Sequence, residues 1–381
     1  MTRVELIEDV ARLETLREQW DELAVAAREP FRSPHWMLPW WQHAAPPGAR
    51  LRVVSVTDDT GLIGIAPLYN EPRRSGVSRY RFLSAPAALS TGPLARAGRE
   101  VEVMTEVCRV LGAVDPPADL IILDGVSVGE RWPDELRVRW PGGRRPELLR
   151  DIARPAPAVD LGARTYEDWL AAKSKNFREQ MRRRRRKLDK MGASFRLTED
   201  ARGSERDIES FIRLHHSRWQ GRGGSGVLTN AVERMLPAVA SGLLSKGRFR
   251  LWTLEIEQRA ISSHLFIAAG GEVSYWLGGF DEAWSAQQPS LQVLIAAIED
   301  AWARGDRRVD LGGGGQAYKY RLADSVENLH WSYLVPHGSG YGRTRVELFP
   351  RLAKRALLSR IPNDAKDRVK RVLGRPTSGA S

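Results

Sequence analysis

The sequence holds a single cysteine, Cys108, among 381 residues. One thiol excludes an internal disulfide and any metal site built from several cysteines, and it predicts a chain that works in a reducing cytoplasm. Long apolar runs are also missing, since none approaches the ~20 residues that span a bilayer. Acidic side chains recur through residues 1–20, so this segment is not expected to act as a secretory signal.

Positive charge is plentiful but uneven. The formal net charge of +12 comes from two segments, residues 173–190 and residues 341–381, which each carry a net charge of +8. The remainder is mildly acidic, which argues against a protein that coats nucleic acid with its whole surface. The first segment contains five consecutive arginines, Arg182 to Arg186, on a predicted helix. They predict contact with an anion, although a solvated helix face stays open as the alternative.

A chain of this length is expected to form two domains. Predicted strands and helices alternate, which indicates an α/β fold. A first unit covers residues 1–155 and a second covers residues 156–340, with a linker marked by Pro155, Pro157 and Gly162. Residues 341–381 are predicted to form a basic amphipathic tail, which either docks on the body or lies on an anionic membrane surface.

The stretch from Glu272 to Asp324 is predicted to hold the functional site. Its order is strand, helix, strand and then the glycine run Gly312 to Gly315. A helix start offers unpaired N–H groups to a phosphate, and glycines let a backbone approach a ligand closely. The residues predicted to bind the phosphates of a co-substrate are therefore Gln287, Gln288, Ser290 and Leu291. An ordinary capped helix start is the alternative.

Three residues are predicted to be catalytic. Lys319 follows the glycine run, where a desolvated ammonium stabilises a developing oxyanion. Asp310 precedes the run and is expected to orient an amine or hydroxyl, and His264 is a candidate general base. Each has a structural alternative, respectively a solvated lysine, a cap at the end of a strand, and a buried sheet histidine. The predicted substrate-binding residues are Asp281, Gly313, Gly314, Tyr318, Arg183 and Arg184, and no metal site is predicted.

Four segments carry a family resemblance. They are the aromatic stretch from Phe31 to Trp41 with Gly64 to Tyr69, the arginine helix Ser174 to Gly192, the segment Phe211 to Trp219, and Tyr275 to Asp281 continued through the glycine run to Lys319. In this order they resemble the GNAT acyltransferase superfamily. The closest branch is the cellulose-biosynthesis-type (CelD/BcsL) acetyltransferases, which are related to the Fem peptidyltransferases.

The resemblance implies two tandem GNAT-like domains, each a mixed, mostly antiparallel sheet flanked by helices. It implies acyl-CoA as co-substrate with no bound cofactor. The implied acceptor is an amine or hydroxyl of a sugar-containing or related small molecule or glycan, in polysaccharide or cell-envelope biosynthesis. The expected location is the cytoplasm, with peripheral contact to the inner face of the membrane. Two alternatives stay open: a Fem-like ligase that uses aminoacyl-tRNA, and a non-catalytic subunit of a polysaccharide assembly complex.

Overall fold

The computed structural model describes residues 1–74, 76–162, 164–220, 223–314 and 316–359, except the side chains of residues 73, 74 and 354–359. The first half of the chain alternates strands with helices. Its elements are β1 (Arg3–Ile7), α1 (Val10–Glu14), α2 (Arg17–Ala26), α3 (Pro34–Ala44), β2 (Arg50–Asp58), β3 (Gly61–Arg74), β4 (Val77–Phe82), β5 (Leu94–Ala95), α4 (Glu100–Leu111), β6 (Leu120–Ser127), α5 (Trp132–Arg139) and β7 (Glu147–Asp160).

The second half repeats this order after a helical insertion. Its elements are α6 (Tyr166–Ala172), α7 (Lys175–Lys190), β8 (Ser194–Leu197), α8 (Ala201–Trp219), α9 (Asn230–Leu243), β9 (Phe249–Ile256), β10 (Arg259–Ala269), β11 (Glu272–Phe280), α10 (Pro289–Ala303), β12 (Arg308–Asp310), α11 (Ala317–Leu322), β13 (Ser325–Val335) and α12 (Tyr341–Ser359). The predicted α/β fold is confirmed.

The strands form one continuous mixed sheet. Their order is β1-β2-β3-β4-β6-β13-β7-β12-β11-β10-β9-β8, with β5 attached to β3. Most neighbours are antiparallel, but β4 runs parallel to β6 and β11 runs parallel to β12. The last strand of each half pairs with the other half, because β13 lies against β6 and β7 lies against β12. The two halves therefore share one sheet, and the predicted domain boundary at residue 155 falls inside β7.

The proline-marked linker is wrong for Pro155 and Pro157, which lie within β7. The strand tolerates both because they are two residues apart, so their missing N–H groups face the same side. On that side the strand provides only hydrogen-bond acceptors. The Pro157 carbonyl accepts from the Leu311 N–H at 2.9 Å, and the Pro155 carbonyl accepts from the Gly314 N–H at 2.9 Å.

The largest core lies between helices of both halves and the sheet. Helices α2 and α3 of the first half and α8 and α9 of the second contribute side chains to it. Trp276 on β11 lies at its centre. Its ring packs edge-on against Trp36 of α3, with centroids 4.9 Å apart, and its indole N–H donates to the Ala87 carbonyl at 2.7 Å. Burial of such large aromatic rings stabilises the packing of the two halves against each other.

Helix α12 begins the segment predicted as a basic tail. Leu348 is buried against Val77, Leu120 and Tyr333, so this part of the segment docks on the body. Val346 and Phe349 on the same helix are 75% and 68% exposed. Residues 360–381 of the predicted tail lie outside the described residues. No described helix combines the length and apolar character needed to cross a bilayer.

Helix α8 approaches β11 at a glycine. A Cβ atom on Gly279 would lie 2.3 Å from the backbone N of His215 and 2.3 Å from the backbone carbonyl carbon of Leu214. Because these are backbone atoms of a packed helix, they cannot move aside as the tip of a side chain would. Gly279 therefore sets the distance between the helix and the sheet.

Replacing Gly279 with alanine should lower the free energy of unfolding by about 1–3 kcal/mol, since a methyl group there overpacks a backbone contact. Urea unfolding followed by circular dichroism measures this. Gly129→Ala is the matched control, because nothing lies within 4 Å of a Cβ at Gly129. Equal stability of the two variants would contradict the close-approach role.

Candidate functional site

A gap opens in the sheet between β11 and β12. The two strands pair from Glu272 with Arg308 to Ser274 with Asp310, and the register ends there. At Gly312 the chain turns away with φ of 73°, and a Cβ at this position would lie 2.9 Å from the Tyr275 carbonyl oxygen. Glycine is therefore required at the apex of the gap, for both its backbone conformation and its lack of a side chain.

A β-bulge in β11 shapes one wall of the gap. Phe266 on β10 pairs with Tyr275, whereas the preceding Leu265 pairs with Leu277, so Trp276 is the extra residue. The bulge sends Trp276 and Leu277 to the same core and leaves Tyr275 in the core of the opposite face. Bulges commonly re-aim side chains next to active sites.

Lys319 lies at the apex and is only 4% exposed. Its Nζ donates to the carbonyls of Gly312 at 3.0 Å and Gly313 at 3.2 Å, and lies 5.7 Å from the centre of the Tyr275 ring. Burial lowers the pKa of Lys319 to about 8, a shift that Asp310 opposes and Arg218 reinforces. An ammonium has three N–H donors, so one stays free after these two bonds.

Asp310 holds the loop that carries these carbonyls. Its Oδ1 accepts from the Gly312 N–H at 2.8 Å. Burial raises the pKa of Asp310, against the attraction of Arg308. The loop is also tied to β7 through the hydrogen bond of Gly314 to Pro155. Asp310, Gly313, Gly314 and Lys319 are thus brought together as the sequence predicted, while Gly315 lies outside the described residues.

Two site residues were missed from sequence: Arg218 at the end of α8 and Tyr275 on β11. The guanidinium of Arg218 stands 5.1 Å from the centre of the Phe280 ring, and no carboxylate forms an ion pair with it among the described residues. Its positive charge acts to lower the pKa of three neighbours, Lys319, Tyr275 and Tyr318. Both residues lie inside segments that carry the family resemblance, and this is the signal that could have found them.

Tyr275 and Tyr318 line the site from two different elements, β11 and α11. Tyr275 is 6% exposed, and burial raises its pKa well above the ordinary value. Tyr318, a predicted substrate-binding residue at the start of α11, is half-buried, and burial also raises its pKa. Both phenols are therefore neutral at physiological pH and can donate a hydrogen bond.

His264 lies next to this cluster but inside the core. Its ring is 0% exposed and stacks on Tyr275 at 5.3 Å, while its Nε2 lies 3.2 Å from the Ser262 hydroxyl. Gly278 makes the room, because a Cβ there would lie 2.4 Å from the His264 Nδ1. Burial lowers the pKa of His264 to about 3. The imidazole is therefore neutral and supports Tyr275, and its predicted role as a base stays a prediction.

The start of α10 offers fewer N–H groups than a typical helix start. Pro289 has none, the Gln288 N–H donates to the Ser285 carbonyl at 3.0 Å, and the Leu291 N–H donates to the Gln288 carbonyl at 3.0 Å. Gln288 itself adopts a left-handed conformation with φ of 52°. The Ser290 hydroxyl and the Gln287 Oε1 are buried there and have no hydrogen-bond partner in the part of the chain that the structure describes. Buried polar atoms normally have a partner, so this corner is polar but unsatisfied.

Three further predicted substrate-binding residues, Asp281, Arg183 and Arg184, lie apart from Lys319. Asp281 caps the short 3-10 helix Glu282–Gln287, accepting from the Ala283 N–H at 3.1 Å, and its other oxygen accepts from Arg259 at 2.9 Å. Arg183 is exposed on α7. Arg184 is half-buried on the same helix, where it donates to the Gln180 Oε1 one turn earlier at 3.2 Å.

Among the residues that the structure describes, no group of three His, Cys, Asp or Glu side chains could hold a metal ion. The site consists of one buried ammonium, a guanidinium that has no ion pair among the described residues, two phenols and a glycine loop whose carbonyl groups hold the ammonium. Such a set can bind a polarised carbonyl group and stabilise negative charge on its oxygen.

The chain was compared with known proteins. The model of the acetyltransferase (GNAT) domain family matches residues 175–320, which contain Arg218, Tyr275, Asp310 and Lys319. No curated protein matches the chain in sequence. Among solved structures, that of FemX is similar with a TM-score of 0.62 and 11% identity, covering 91% of this chain and 99% of that one.

Two further solved structures share the fold. The C-terminal domain of a putative lysylphosphatidylglycerol synthetase from Agrobacterium fabrum has a TM-score of 0.54 and 10% identity, covering 87% of this chain and 95% of that one. A conserved protein of unknown function from Bacteroides thetaiotaomicron has a TM-score of 0.54 and 9% identity, covering 88% and 100%. At such identities the likeness shows the fold alone. Residues 175–320 thus match the model of the GNAT acetyltransferase domain, within a chain whose fold is similar to that of FemX.

Proposed function

We propose that the protein transfers an acyl group from an activated donor to an amine or hydroxyl acceptor in the gap between β11 and β12. One observation carries this: the Lys319 ammonium is buried at the apex of the gap, held by two loop carbonyls with one N–H free. A preorganised charge in a site that excludes water stabilises a developing oxyanion far more than the same charge would in water.

The proposed reaction is direct transfer without a covalent enzyme intermediate. The acceptor attacks the acyl carbonyl carbon, a C–N or C–O bond forms, and the carbonyl oxygen becomes an oxyanion beside Lys319. The oxyanion then collapses, the bond to the leaving group breaks and the acceptor gives up its proton. Cys108 plays no part, because it is buried in the first half, where burial raises its pKa to about 12.

Asp310 is the proposed acceptor of that proton. One of its oxygens is engaged by the Gly312 N–H, so the other is available to orient an amine or hydroxyl. Its raised pKa supports this role, because a carboxylate becomes a better base as its pKa approaches the working pH.

Acyl-CoA is the proposed donor, with its phosphates near the start of α10. The Ser290 hydroxyl supports this, since it is buried at the start of α10 without a hydrogen-bond partner among the described residues. The proposed acceptor is an amine or hydroxyl of a sugar-containing molecule or glycan in polysaccharide or cell-envelope biosynthesis, and the proposed location is the cytoplasm. These finer assignments rest on the sequence resemblance to the CelD/BcsL branch.

Aminoacyl-tRNA is a second candidate donor, and two observations favour it. The start of α10 has lost most of the N–H groups that would cradle a pyrophosphate. In addition, Arg182, Arg183 and Arg186 on α7 are exposed, with no acidic partner among the described residues.

Calorimetric titration should separate the two donors. Under the first proposal CoA binds the purified protein, and Ser290→Ala weakens that binding by about tenfold through the loss of one hydrogen bond to a charged group. Ser285→Ala, at an exposed position just before it, is the control. If CoA does not bind at millimolar concentration while charged tRNA does, the acyl-CoA proposal fails and the tRNA candidate replaces it.

Replacing Lys319 with methionine keeps most of the length of the side chain and removes its charge. We expect kcat for acyl transfer to fall by about 10²–10³-fold with little change in KM for the donor, because the ammonium acts mainly on the oxyanion. Release of the donor's leaving group measures this rate. Lys246→Met serves as control, since Lys246 is exposed and only loosely paired with Asp21. An unchanged kcat in Lys319→Met would remove Lys319 from the chemistry.

The pH dependence should report the charge of Lys319. The ammonium is present below its pKa of about 8 and lost above it, so kcat should fall as pH rises through about 8. The repulsion of Arg218 helps to lower this pKa, so Arg218→Gln should move the fall to higher pH. Arg213→Gln, an exposed change on the same helix, should leave it in place. If the fall in kcat with rising pH persists in Lys319→Met, the titration of another group causes it.

A further inference from the structure

Helix α12 has one face that packs on the body of the protein. Thr344 and Leu348 are buried, and Leu352 packs against the same cluster. The Thr344 hydroxyl also lies 3.4 Å from the Asp119 carbonyl oxygen. Because residues four apart share one side of a helix, these three side chains fix the orientation of α12. Its opposite side must therefore point away from the body.

The opposite side of α12 is apolar and exposed. Val346, Phe349, Pro350 and Ala353 have the i, i+3, i+4, i+7 spacing of a single helix face, and all four are exposed. Apart from the terminal Met1, Val346 and Phe349 are the two most exposed large apolar side chains in the part of the chain that the structure describes. Single exposed apolar residues are ordinary, but a row of them on one helix indicates an interaction surface. We call these four residues the outer stripe.

Positive charge borders the outer stripe at its first turn. Arg343 precedes Val346 by three residues, is exposed and forms no ion pair among the described residues. Its Nη1 lies beside the hairpin between β3 and β4, 3.3 Å from the position of a Cβ on Gly76. The sequence of this hairpin adds Arg73 and Arg74. Three arginines are thus brought to one end of the stripe by two separate segments of the chain.

The carboxylates of this region do not neutralise that charge. Glu347 on α12 forms an ion pair with Arg79 at 2.5 Å, and Glu147 on β7 forms one with Arg345 at 3.0 Å. Each pair cancels within the protein, so the charge that remains for a partner is positive. Residues 341–381 as a whole carry a net charge of +8. The partner that fits this surface is therefore apolar at its centre and anionic around it.

We propose that the outer stripe docks the protein on the surface of an anionic lipid bilayer. Val346 and Phe349 enter the boundary between headgroups and acyl chains, while Arg343 contacts lipid phosphates. A basic amphipathic helix lies in the membrane plane in this way, and each cation near an anionic surface adds to the attraction. A second copy of the chain fits less well, because a two-fold contact would bring the same positive charges together.

The membrane contact goes beyond the proposed acyl transfer and does not rest on it. Helix α12 packs on Val77 of β4, Leu120 of β6 and Tyr333 of β13. The catalytic gap lies between β11 and β12, so neither the stripe nor its arginines belong to it. Binding to a membrane and catalysis can therefore be measured separately.

Co-sedimentation of the full chain with lipid vesicles tests the proposal. Vesicles of phosphatidylcholine with about 30% phosphatidylglycerol should bind the wild type, and pure phosphatidylcholine vesicles should not. Phe349→Ser should weaken binding about tenfold and Val346→Ser about fivefold, because each removes apolar area from the contact. Val128→Ser is the matched control for Val346→Ser and should leave binding unchanged, since Val128 is 63% exposed but follows the far end of β6.

The charge requirement has its own variants. Arg343→Gln should weaken binding at low salt and reduce its dependence on salt, because one cation near the surface is lost. Arg186→Gln, an exposed change on α7, should alter neither. An equal loss in Arg186→Gln, or full binding in both Phe349→Ser and Val346→Ser, would place the contact elsewhere in the chain and overturn the proposal. Equal binding of the wild type to neutral vesicles would overturn it too.

Light scattering in solution tests the competing occupant of the stripe. Wild type and Phe349→Ser should have the same mass, whereas a dimer that Phe349→Ser dissociates would assign the stripe to a second copy and overturn the membrane contact. Phe349→Ser should also keep the wild-type Tm, because the ring is exposed, and the wild-type rate of acyl transfer with soluble substrates. Loss of vesicle binding with full activity therefore separates this proposal from the proposed function.

Discussion

The antiparallel pairing of β7 with β13 determines the rest of the structure. These two strands lie at the middle of the sheet, and each comes from a different half of the chain. The pairing places β12 beside β7, and the segment after β12 becomes the glycine loop that hydrogen-bonds back to Pro155 and Pro157. The candidate site is thus built by the second half but anchored on a strand of the first.

Burial of charge is the second constraint on the site. Water is largely excluded from Lys319. Its ammonium therefore loses solvation free energy, and the two glycine carbonyls replace only part of that loss. The same applies farther along the interface between the halves, where burial raises the pKa of Glu29 to about 7 and that of Glu272 to about 8. Arg32 and Arg308 offset these charges through ion pairs at 3.3 and 2.8 Å. Each of these two buried carboxyl groups is therefore paired with an arginine.

Local sequence patterns predicted the α/β class and the close approach of Asp310, the glycine run and Lys319, because these residues are neighbours along the chain. The exchange of β7 and β13 could not be predicted in this way, since it depends on partners far apart in sequence. Pro155 and Pro157 illustrate the limit: prolines are rare within sheets, so they indicated a linker, and only the short neighbouring β12 makes them acceptable in a strand. The bulge at Trp276 was equally hidden, because its register is set by β10. Arg218 was missed because its lack of an ion pair among the described residues is a property of the tertiary structure, and only the family resemblance of its segment pointed to it.

The strand exchange also bears on how the chain folds as it is synthesised. The partner of β6 is β13, which ends at Val335, so the first half cannot complete its sheet while it emerges from the ribosome. Until then β6 has a free edge with unpaired N–H and C=O groups, which is a template for wrong pairing with other chains. Nascent chains of this protein are therefore exposed to wrong pairing from the time β6 (Leu120–Ser127) is made until β13 (Ser325–Val335) is made, and the pairing of β13 ends this exposure.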